Sequence, residues 1–257
     1  MSRTVKIVLA CVVGVIVLAV GGFLVWFYAV KEDAPERFDE SSLDSVLDAT
    51  TTTIGSPVTT TAGGSATTGG SATTTAGASA PSGDVSGTWT VSTDSQVGYR
   101  VEEILAGLDT EGAGRTNAIS GTMTIDGTTL TATDLTVDMT TFESDDSRRD
   151  GQFNGRIMQV SQFPTATFTL TAPVEVGTIP TDGSSVQVRA TGDLTIHGVT
   201  KPVTFDLTAK ESDGRIGVVG STEITFADYD IVNPSNGFAE TGDTGTLELQ
   251  LVFDKTA

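Results

Sequence analysis

The chain has 257 residues, with 33 Asp and Glu against 14 Lys and Arg, and its formal net charge at pH 7 is −19. A surface this acidic predicts that the chain does not bind nucleic acid or the surface of an anionic membrane, since both are bound through basic patches. The chain contains one histidine and one cysteine, which excludes zinc sites that need several such ligands and excludes a disulfide within the chain.

The first predicted element is a transmembrane helix over residues 7–30. Ile7 to Val30 is a run of 24 uncharged residues, and at about 1.5 Å rise per residue it spans a hydrocarbon core of ~30 Å. The run is longer than the ~7–15 apolar residues of a cleavable signal peptide. Arg3 and Lys6 precede it with no acidic residue, so the positive-inside rule places residues 1–6 in the cytoplasm and the rest outside.

Cys11 lies within this run and raises an alternative anchor. Val8–Leu9–Ala10–Cys11 has the form of a lipoprotein acylation box. The apolar run continues for nineteen residues beyond Cys11, which favours a helix over a lipid as the anchor. The sequence therefore predicts a single-pass protein of the cytoplasmic membrane, attached through its N-terminal helix, with an extracytoplasmic C-terminal domain.

Residues 31–83 are predicted to join the membrane helix to a folded domain. The segment from Lys31 to Asp48 is rich in charge and is predicted to form a short juxtamembrane helix. Thr50 to Gly83 contains no charged residue and consists mainly of Thr, Gly, Ala and Ser, so it cannot bury enough apolar surface to fold. It is predicted to be a disordered stalk, either O-glycosylated on Thr or a plain spacer.

Residues 84–257 show the two-residue period of half-buried antiparallel strands. Apolar and polar residues alternate within 167–170, 186–191, 203–209 and 247–253, and further strands are predicted at 87–91, 96–101, 119–125 and 216–226. In Leu130–Met139 the alternation slips by one residue, which predicts a bulge near Thr133–Asp134. Asp126–Gly127 predicts a hairpin turn. Eight or nine strands are expected, in a domain that folds without the rest of the chain.

One polar segment, Ser144 to Gln162, interrupts the strands and is predicted to contain a helix. Its apolar residues Phe153, Ile157 and Val160 have helical spacing. Ser144 or Ser147 is the expected N-cap, and Phe163–Pro164 is expected to end the helix. The fold class is therefore mainly β with one inserted short helix. A sheet of this size closes into a barrel or pairs as a sandwich, and periodicity alone does not choose between them.

Residues suited to catalysis are few. His197 is the single histidine, and the G-x-S-x-G motif of α/β-hydrolases does not occur in the sequence. The acidic run from Glu143 to Gly151 suggests calcium, but an EF-hand register beginning at Asp146 places Arg148 at a ligand position. No catalytic residue, metal site or cofactor is predicted, and the chain is expected not to be an enzyme.

The string Gly192-Asp193-Leu194-Thr195-Ile196-His197-Gly198-Val199-Thr200-Lys201-Pro202-Val203-Thr204-Phe205 predicts a strand, a turn at His197–Gly198 and a second strand after Pro202. This string resembles the hallmark of the YceI-like family of exported lipid-binding proteins. Two further pairs of segments resemble the family in the same order. Gly87–Val91 followed by Asp94–Tyr99 resembles its opening strands, and Arg149–Asp150 followed by Phe163–Phe168 resembles its central helix with the next strand. The sequence departs from the family at Gln96 and at Arg100 or Val101, where the family often carries histidine.

The resemblance implies a lipocalin-like antiparallel β-barrel whose elongated apolar interior holds one isoprenoid chain, with no catalytic residue. It implies binding, sequestration or transport of a quinone or polyprenyl phosphate at the outer face of the cytoplasmic membrane. The alternative is a structural or adhesive stalked β-domain with a filled core. Trp89 is expected to close one end of the barrel. The candidate ligand-binding residues are Tyr99, Val101, Arg148, Asp150, Phe153, Phe163, Phe168, Leu194, His197, Phe205 and Leu249.

Overall fold

The computed structural model describes residues 21, 34–51, 84–105, 107–177, 179–180, 184–235 and 239–256. The predicted tail, most of the predicted membrane helix with Cys11, and residues 52–83 of the predicted stalk lie outside the described residues. Within the described part of the chain, no helix is both long and apolar enough to cross a bilayer. The second of two compact units spans Glu36–Ala257 and contains every described strand.

Thirteen strands are described, most of them in the regions where the sequence alternates. They are β1 (Gly87–Val91), β2 (Gln96–Leu105), β3 (Leu108–Thr116), β4 (Ile119–Asp126), β5 (Thr129–Asp138), β6 (Glu143–Ser144), β7 (Thr165–Leu170), β8 (Val174–Glu175), β9 (Val186–Ile196), β10 (Val199–Ser212), β11 (Arg215–Thr225), β12 (Ala239–Thr241) and β13 (Thr244–Lys255). The helices are α1 (Glu40–Thr51) and α2 (Ser147–Gln152), the second of which continues into a π-helical turn at Phe153–Ile157. Two 3-10 turns occupy Met139–Thr141 and Phe226–Tyr229.

Eight of the strands close into an antiparallel barrel. Their order is β1-β4-β5-β7-β9-β10-β11-β13, and β13 pairs with β1 to complete the circle. Closure pairs each of these strands with a neighbour on both sides, which decides for the barrel over the sandwich. β2 and β3 extend the sheet beyond β13, while β6, β8 and β12 are short additions to β3, β5 and β2.

The interior holds two groups of apolar side chains. The Phe153 cluster contains Met139, Phe142, Phe153, Met158, Ala166, Leu194, Ile196, Ile224, Phe226, Tyr229 and Ile231. The Trp89 cluster contains Val85, Trp89, Met123, Ile125, Leu135, Ile179, Ile216, Leu251 and Phe253. Phe168 and Val97 pack against both clusters, so the two occupy successive parts of one interior.

The predicted bulge is present but lies earlier in β5. The pairing register of β4 and β5 shifts between Thr124 and Ile125, which face Ala132 and Leu130, so the additional residue is Thr131. From Thr133 onward the odd-numbered residues of β5 face inward, and before the bulge Leu130 does. Because of this one additional residue, the even-numbered Leu130 and the odd-numbered apolar residues after the bulge all lie on the inner face.

The strand predicted to begin after Pro202 begins at Val199. His197 (φ 52°) and Gly198 (φ 77°) form a two-residue turn with both backbones in the left-handed region, and Ile196 pairs directly with Val199. Pro202 is tolerated in β10 because that strand pairs with β11 only from Asp206 onward, which leaves one of its edges open at Pro202.

The strand β3 was not predicted, because its sequence does not alternate. Two of the positions that face inward are Gly112 and Gly114, and they leave space for side chains of the neighbouring strand. A Cβ at Gly114 would lie 2.5 Å from the Tyr99 ring, and one at Gly112 would lie 2.7 Å from Glu103 Oε1. The Tyr99 ring therefore occupies the space that a β3 side chain would otherwise fill.

The inserted helix is present but shorter than predicted, and its cap differs. Its N-cap is Asp146, whose carboxylate accepts a hydrogen bond from the backbone N–H of Arg148, rather than Ser144 or Ser147. After Gln152 the helix widens into a π-turn, in which Phe153 is buried. Phe153 thereby enters the barrel interior.

Helix α1 lies on the outer face of the barrel. Leu43 and Leu47 are buried against Val219 of β11 and Val252 of β13, and Phe38 and Val46 pack at the edge of the same group. The segment that the sequence places in the juxtamembrane region is thus part of the compact unit. That unit begins at Glu36, well before the predicted domain start at residue 84.

Candidate functional site

The barrel encloses an elongated cavity of about 240 Å³. Its lining runs from Leu251 and Phe253 of the Trp89 cluster to Phe226 and Ile231 of the Phe153 cluster. Ligand cavities for compact drug-sized molecules usually measure ~300–1,000 Å³. The cavity is smaller than this range and its lining belongs to both clusters, so it suits part of a narrow apolar chain better than a compact molecule.

Seven of the predicted ligand-binding residues line this cavity, on β2, the π-turn, β7, β9, β10 and β13. They are Tyr99, Val101, Phe153, Phe168, Leu194, Phe205 and Leu249. The structure brings these residues together because the inward positions of alternating strands converge on the barrel axis. Four other predicted residues, Arg148, Asp150, Phe163 and His197, are not part of the lining.

The aromatic residues near Tyr99 form one wall of the cavity. The Tyr99 and Phe153 rings stack with centroids 4.8 Å apart and planes within 7° of each other. Phe142 contacts the same Phe153 ring at 5.2 Å. On the other side, Phe168 and Phe205 meet edge to face at 5.6 Å. These contacts fix the position of the wall in the absence of polar interactions.

His197 and Phe163 support the β9–β10 turn instead of facing the cavity. The imidazole is 8 % exposed, and its Nδ1 donates a hydrogen bond to the carbonyl oxygen of Tyr229 at 3.1 Å. The Phe163 ring centroid lies 4.5 Å from the imidazole, and a Cβ at Gly198 would come within 2.6 Å of Phe163. Both side chains therefore hold the hairpin against the body of the barrel.

Asp150 and Arg148 also do not face the cavity: Asp150 stabilises the fold and Arg148 is exposed to solvent. The carboxylate of Asp150 accepts hydrogen bonds from the backbone N–H of Ser144 at 2.9 Å and from its hydroxyl at 2.6 Å, which ties α2 to β6. Arg148 is exposed on the first turn of α2. The cationic residue of this helix that reaches the cavity is its neighbour Arg149.

Arg149 and Glu103 give one end of the cavity its polar character, and neither was predicted. Arg149 forms an ion pair with Asp145 and lies 3.9 Å from Glu103 Oε2. Burial raises the pKa of the Glu103 carboxyl, and the nearby Arg149 opposes that rise. Burial also raises the pKa of the Tyr99 hydroxyl well above its usual range. The sequence did contain a signal for Glu103. Side chains alternate along β2, so residue 103 lies on the same face of the strand as Tyr99.

The ion pairs around Arg100 lie on the opposite face of the same strand. Arg100 is 3 % exposed, and its Nε donates to Glu248 Oε2 at 2.7 Å. Arg115 donates to the other oxygen of Glu248 at 3.0 Å. The carbonyl oxygen of Glu36 accepts a hydrogen bond from Arg100 Nη2 at 2.8 Å. Arg100 and Glu248 are thus part of the barrel wall, but their charged groups point outward, under the segment that precedes α1.

Metal binding has no support in the described part of the chain, since no group of three or more His, Cys, Asp or Glu side chains is placed to hold an ion. A closed antiparallel barrel with an apolar internal cavity is the architecture of lipocalin-like binding proteins. The YceI-like domain family model matches residues 89–253, and the chain belongs to that family.

Relatives of known sequence agree with this assignment. A UPF0312 protein of Vibrio vulnificus strain YJ016 is 34% identical over 130 residues, and one of Vibrio parahaemolyticus is 32% identical over 127 residues. Each match covers 46% of this chain and 64% of the relative, so the chain spans less than two thirds of the length of these relatives.

Two solved structures share the fold. BcnA of Burkholderia cenocepacia has a TM-score of 0.50 at 20% identity, over 63% of this chain and 98% of BcnA. A polyisoprenoid-binding domain from Saccharophagus degradans has a TM-score of 0.52 at 18% identity, over 66% of this chain and 98% of that domain. At these identities the similarity establishes the barrel architecture.

Proposed function

We propose that the protein binds a long-chain isoprenoid lipid, such as a quinone or a polyprenyl phosphate, and sequesters or carries it without catalysis at the outer face of the cytoplasmic membrane. The observation that carries this proposal is the elongated apolar cavity, lined by Phe, Leu, Val, Ile and Met side chains from the barrel strands. The name of the Saccharophagus degradans domain, a polyisoprenoid-binding domain, supports the same ligand class. The location rests on the predicted helix at residues 7–30.

The cavity suits a chain that is recognised by length and shape. Each CH₂ group that leaves water for an apolar site contributes about 0.8 kcal/mol. A prenyl chain can therefore be held through its hydrocarbon surface, without a set of polar contacts. The structural alternative requires an interior filled by side chains, and a cavity of about 240 Å³ leaves that alternative without support.

Lipid extraction and titration test the proposal. Mass spectrometry of lipids that co-purify with the full chain is expected to detect an isoprenoid. Titration of the delipidated full chain with quinones and polyprenyl phosphates of increasing length is expected to show affinity that rises with chain length and then levels off when the cavity is full. Absence of binding at every length would overturn the proposal and leave a structural role.

A further inference from the structure

The charges around the cavity bear on the headgroup of the ligand. Two cationic side chains belong to residues of the described lining, Arg100 and Arg149. The guanidinium of Arg100 is committed to Glu248 and Glu111 on the outer face of the barrel. Arg149 is thus the cation left to meet a ligand at the polar end of the cavity.

The charge of Arg149 is already compensated. Its guanidinium pairs with Asp145 and lies 3.9 Å from Glu103. Asp150 follows Arg149 directly on the same helix, and its carboxylate accepts a hydrogen bond from the Ser144 hydroxyl. The carboxylates of Asp150, Glu103 and Asp145 all raise the pKa of the Tyr99 hydroxyl, whereas Arg149 lowers it. Arg149 and the carboxylates Glu103, Asp145 and Asp150 therefore form a cluster of one cation and three anions around the Tyr99 hydroxyl.

The other part of the cavity offers a neutral polar group. Thr133 pairs across the strands with Met123 of the Trp89 cluster, lines the cavity and is 9 % exposed. Its hydroxyl has no hydrogen-bond partner among the described residues. A hydroxyl can donate to a carbonyl or hydroxyl oxygen of a ligand, but it cannot neutralise a phosphate.

A phosphate would therefore meet unfavourable surroundings in either orientation. At the Glu103 end it would add about −1.5 to −2 charge to a cluster that is already negative. Near Thr133 it would be buried without a cation, and burial of an unpaired charge is strongly unfavourable. An uncharged oxygen-bearing headgroup escapes both penalties.

We propose that the cavity selects isoprenoids with an uncharged, hydrogen-bond-accepting headgroup, as in a quinone or a prenol, and disfavours polyprenyl phosphates. This inference rests on the proposed function. The selection comes from the carboxylates Glu103 and Asp145 around Arg149, together with the apolar, uncharged lining beyond them.

The test compares ligands that share one tail. The full chain is titrated at neutral pH with solanesol, with solanesyl phosphate and with a quinone that carries the same tail. Solanesol and the quinone are expected to bind at least tenfold more tightly than the phosphate. Equal or tighter binding of the phosphate would overturn the inference while the proposed function stands. Failure of all three ligands to bind would overturn the proposed function itself.

A double variant locates the cause of the selection. Glu103→Gln with Asp145→Asn is expected to raise affinity for solanesyl phosphate at least fivefold and to change affinity for solanesol less than twofold. The control is Asp206→Asn with Glu223→Gln, which removes the same two charges from exposed strand positions and is expected to change neither affinity. An identical response of the two double variants would overturn the assignment to Glu103 and Asp145.

Discussion

Adjacent residues of β2 have opposite environments. Tyr99 faces the cavity and stacks on Phe153, whereas Arg100 faces outward and pairs with Glu248. Because side chains alternate along a strand, a register shift of one residue would bury the guanidinium in the cavity and expose the aromatic ring. The Arg100–Glu248 pair and the Tyr99–Phe153 stack therefore specify the same register of β2, one from each face.

A substitution that fills the cavity is expected to block binding without loss of the fold. Ala190 lines the cavity and is 3 % exposed, so Ala190→Leu adds volume where the isoprenoid chain would lie. Affinity for a solanesyl quinone is expected to fall at least tenfold, with a melting temperature near that of the parent chain. Ala132→Leu, at an exposed position of β5, is the matched control. Unchanged affinity in Ala190→Leu would argue against the cavity as the binding site.

The half-buried carboxyl of Glu103 is expected to make stability depend on pH. Burial raises its pKa in the folded state, so the folded chain binds this proton more tightly than the unfolded chain does. The contribution of Glu103 to stability therefore falls as pH rises from the unfolded pKa through the folded pKa. Glu103→Gln removes this fall. The free energy of unfolding of the variant, relative to the parent, is expected to increase between about pH 4 and pH 7.

Denaturant titrations across that pH range provide the measurement. Glu223→Gln is the control, because Glu223 is exposed on β11. A difference between Glu103→Gln and the parent that stays constant with pH would contradict the account.

At the scale of elements, α1 covers a face of the sheet that is unusually apolar for the outside of a barrel. Gly217 of β11 is part of the fit, since a Cβ there would lie 2.5 Å from Leu43 Cδ1. Polar contacts surround the apolar ones: Lys210 pairs with Asp44, and the Arg115 guanidinium lies 3.9 Å from the centre of the Phe38 ring. The helix is thus attached through complementary shape and charge.

Truncation of Leu43 is expected to weaken this attachment. The side chain is fully buried, so Leu43→Ala is expected to lower the free energy of unfolding by about 2–5 kcal/mol, the usual range for such a change in a core. Ser45→Ala changes an exposed residue of the same helix and is expected to lie within about 0.5 kcal/mol of the parent. Urea titrations measure both, and equal stability of the two variants would show that α1 contributes little.

The elements that the sequence predicted are those in which one physical rule dominates. Alternation predicted the long strands and the inward positions of Phe168, Phe205 and Leu249, because burial of one face determines both. It did not predict β3, in which Gly112 and Gly114 face inward and leave space for Glu103 and Tyr99. Arg149 and Glu103 were missed because a charged residue at a strand or helix end resembles an ordinary solvated one, and its place at the cavity depends on packing between distant elements.

At the scale of the whole molecule, the folded unit is larger than the β-rich sequence. The barrel closes through β1 and β13, but the outer face of β11 and β13 is completed by residues before the predicted stalk. Helix α1 packs on the barrel and strand β1 is part of it, so residues 52–83 connect two parts of one unit in the sequence. The membrane helix predicted at 7–30 precedes that unit.

Two shortened chains distinguish the predicted start of the domain from the observed one. A chain of residues 36–257 retains α1 and is expected to unfold cooperatively with the stability of the intact unit. A chain of residues 84–257 loses the burial of Phe38, Leu43 and Leu47, and it exposes Val219, Val252 and the Arg100–Glu248 pair. Full burial of one large apolar side chain contributes about 1.5–3 kcal/mol, so the shorter chain is expected to be less stable by several kcal/mol. The Arg100–Glu248 pair would be exposed to water in this shorter chain. Exposed ion pairs contribute about 0–1 kcal/mol, which is too little to offset the lost apolar burial. Equal denaturation midpoints for the two chains would place the start of the folding unit near residue 84 and make α1 a dispensable attachment.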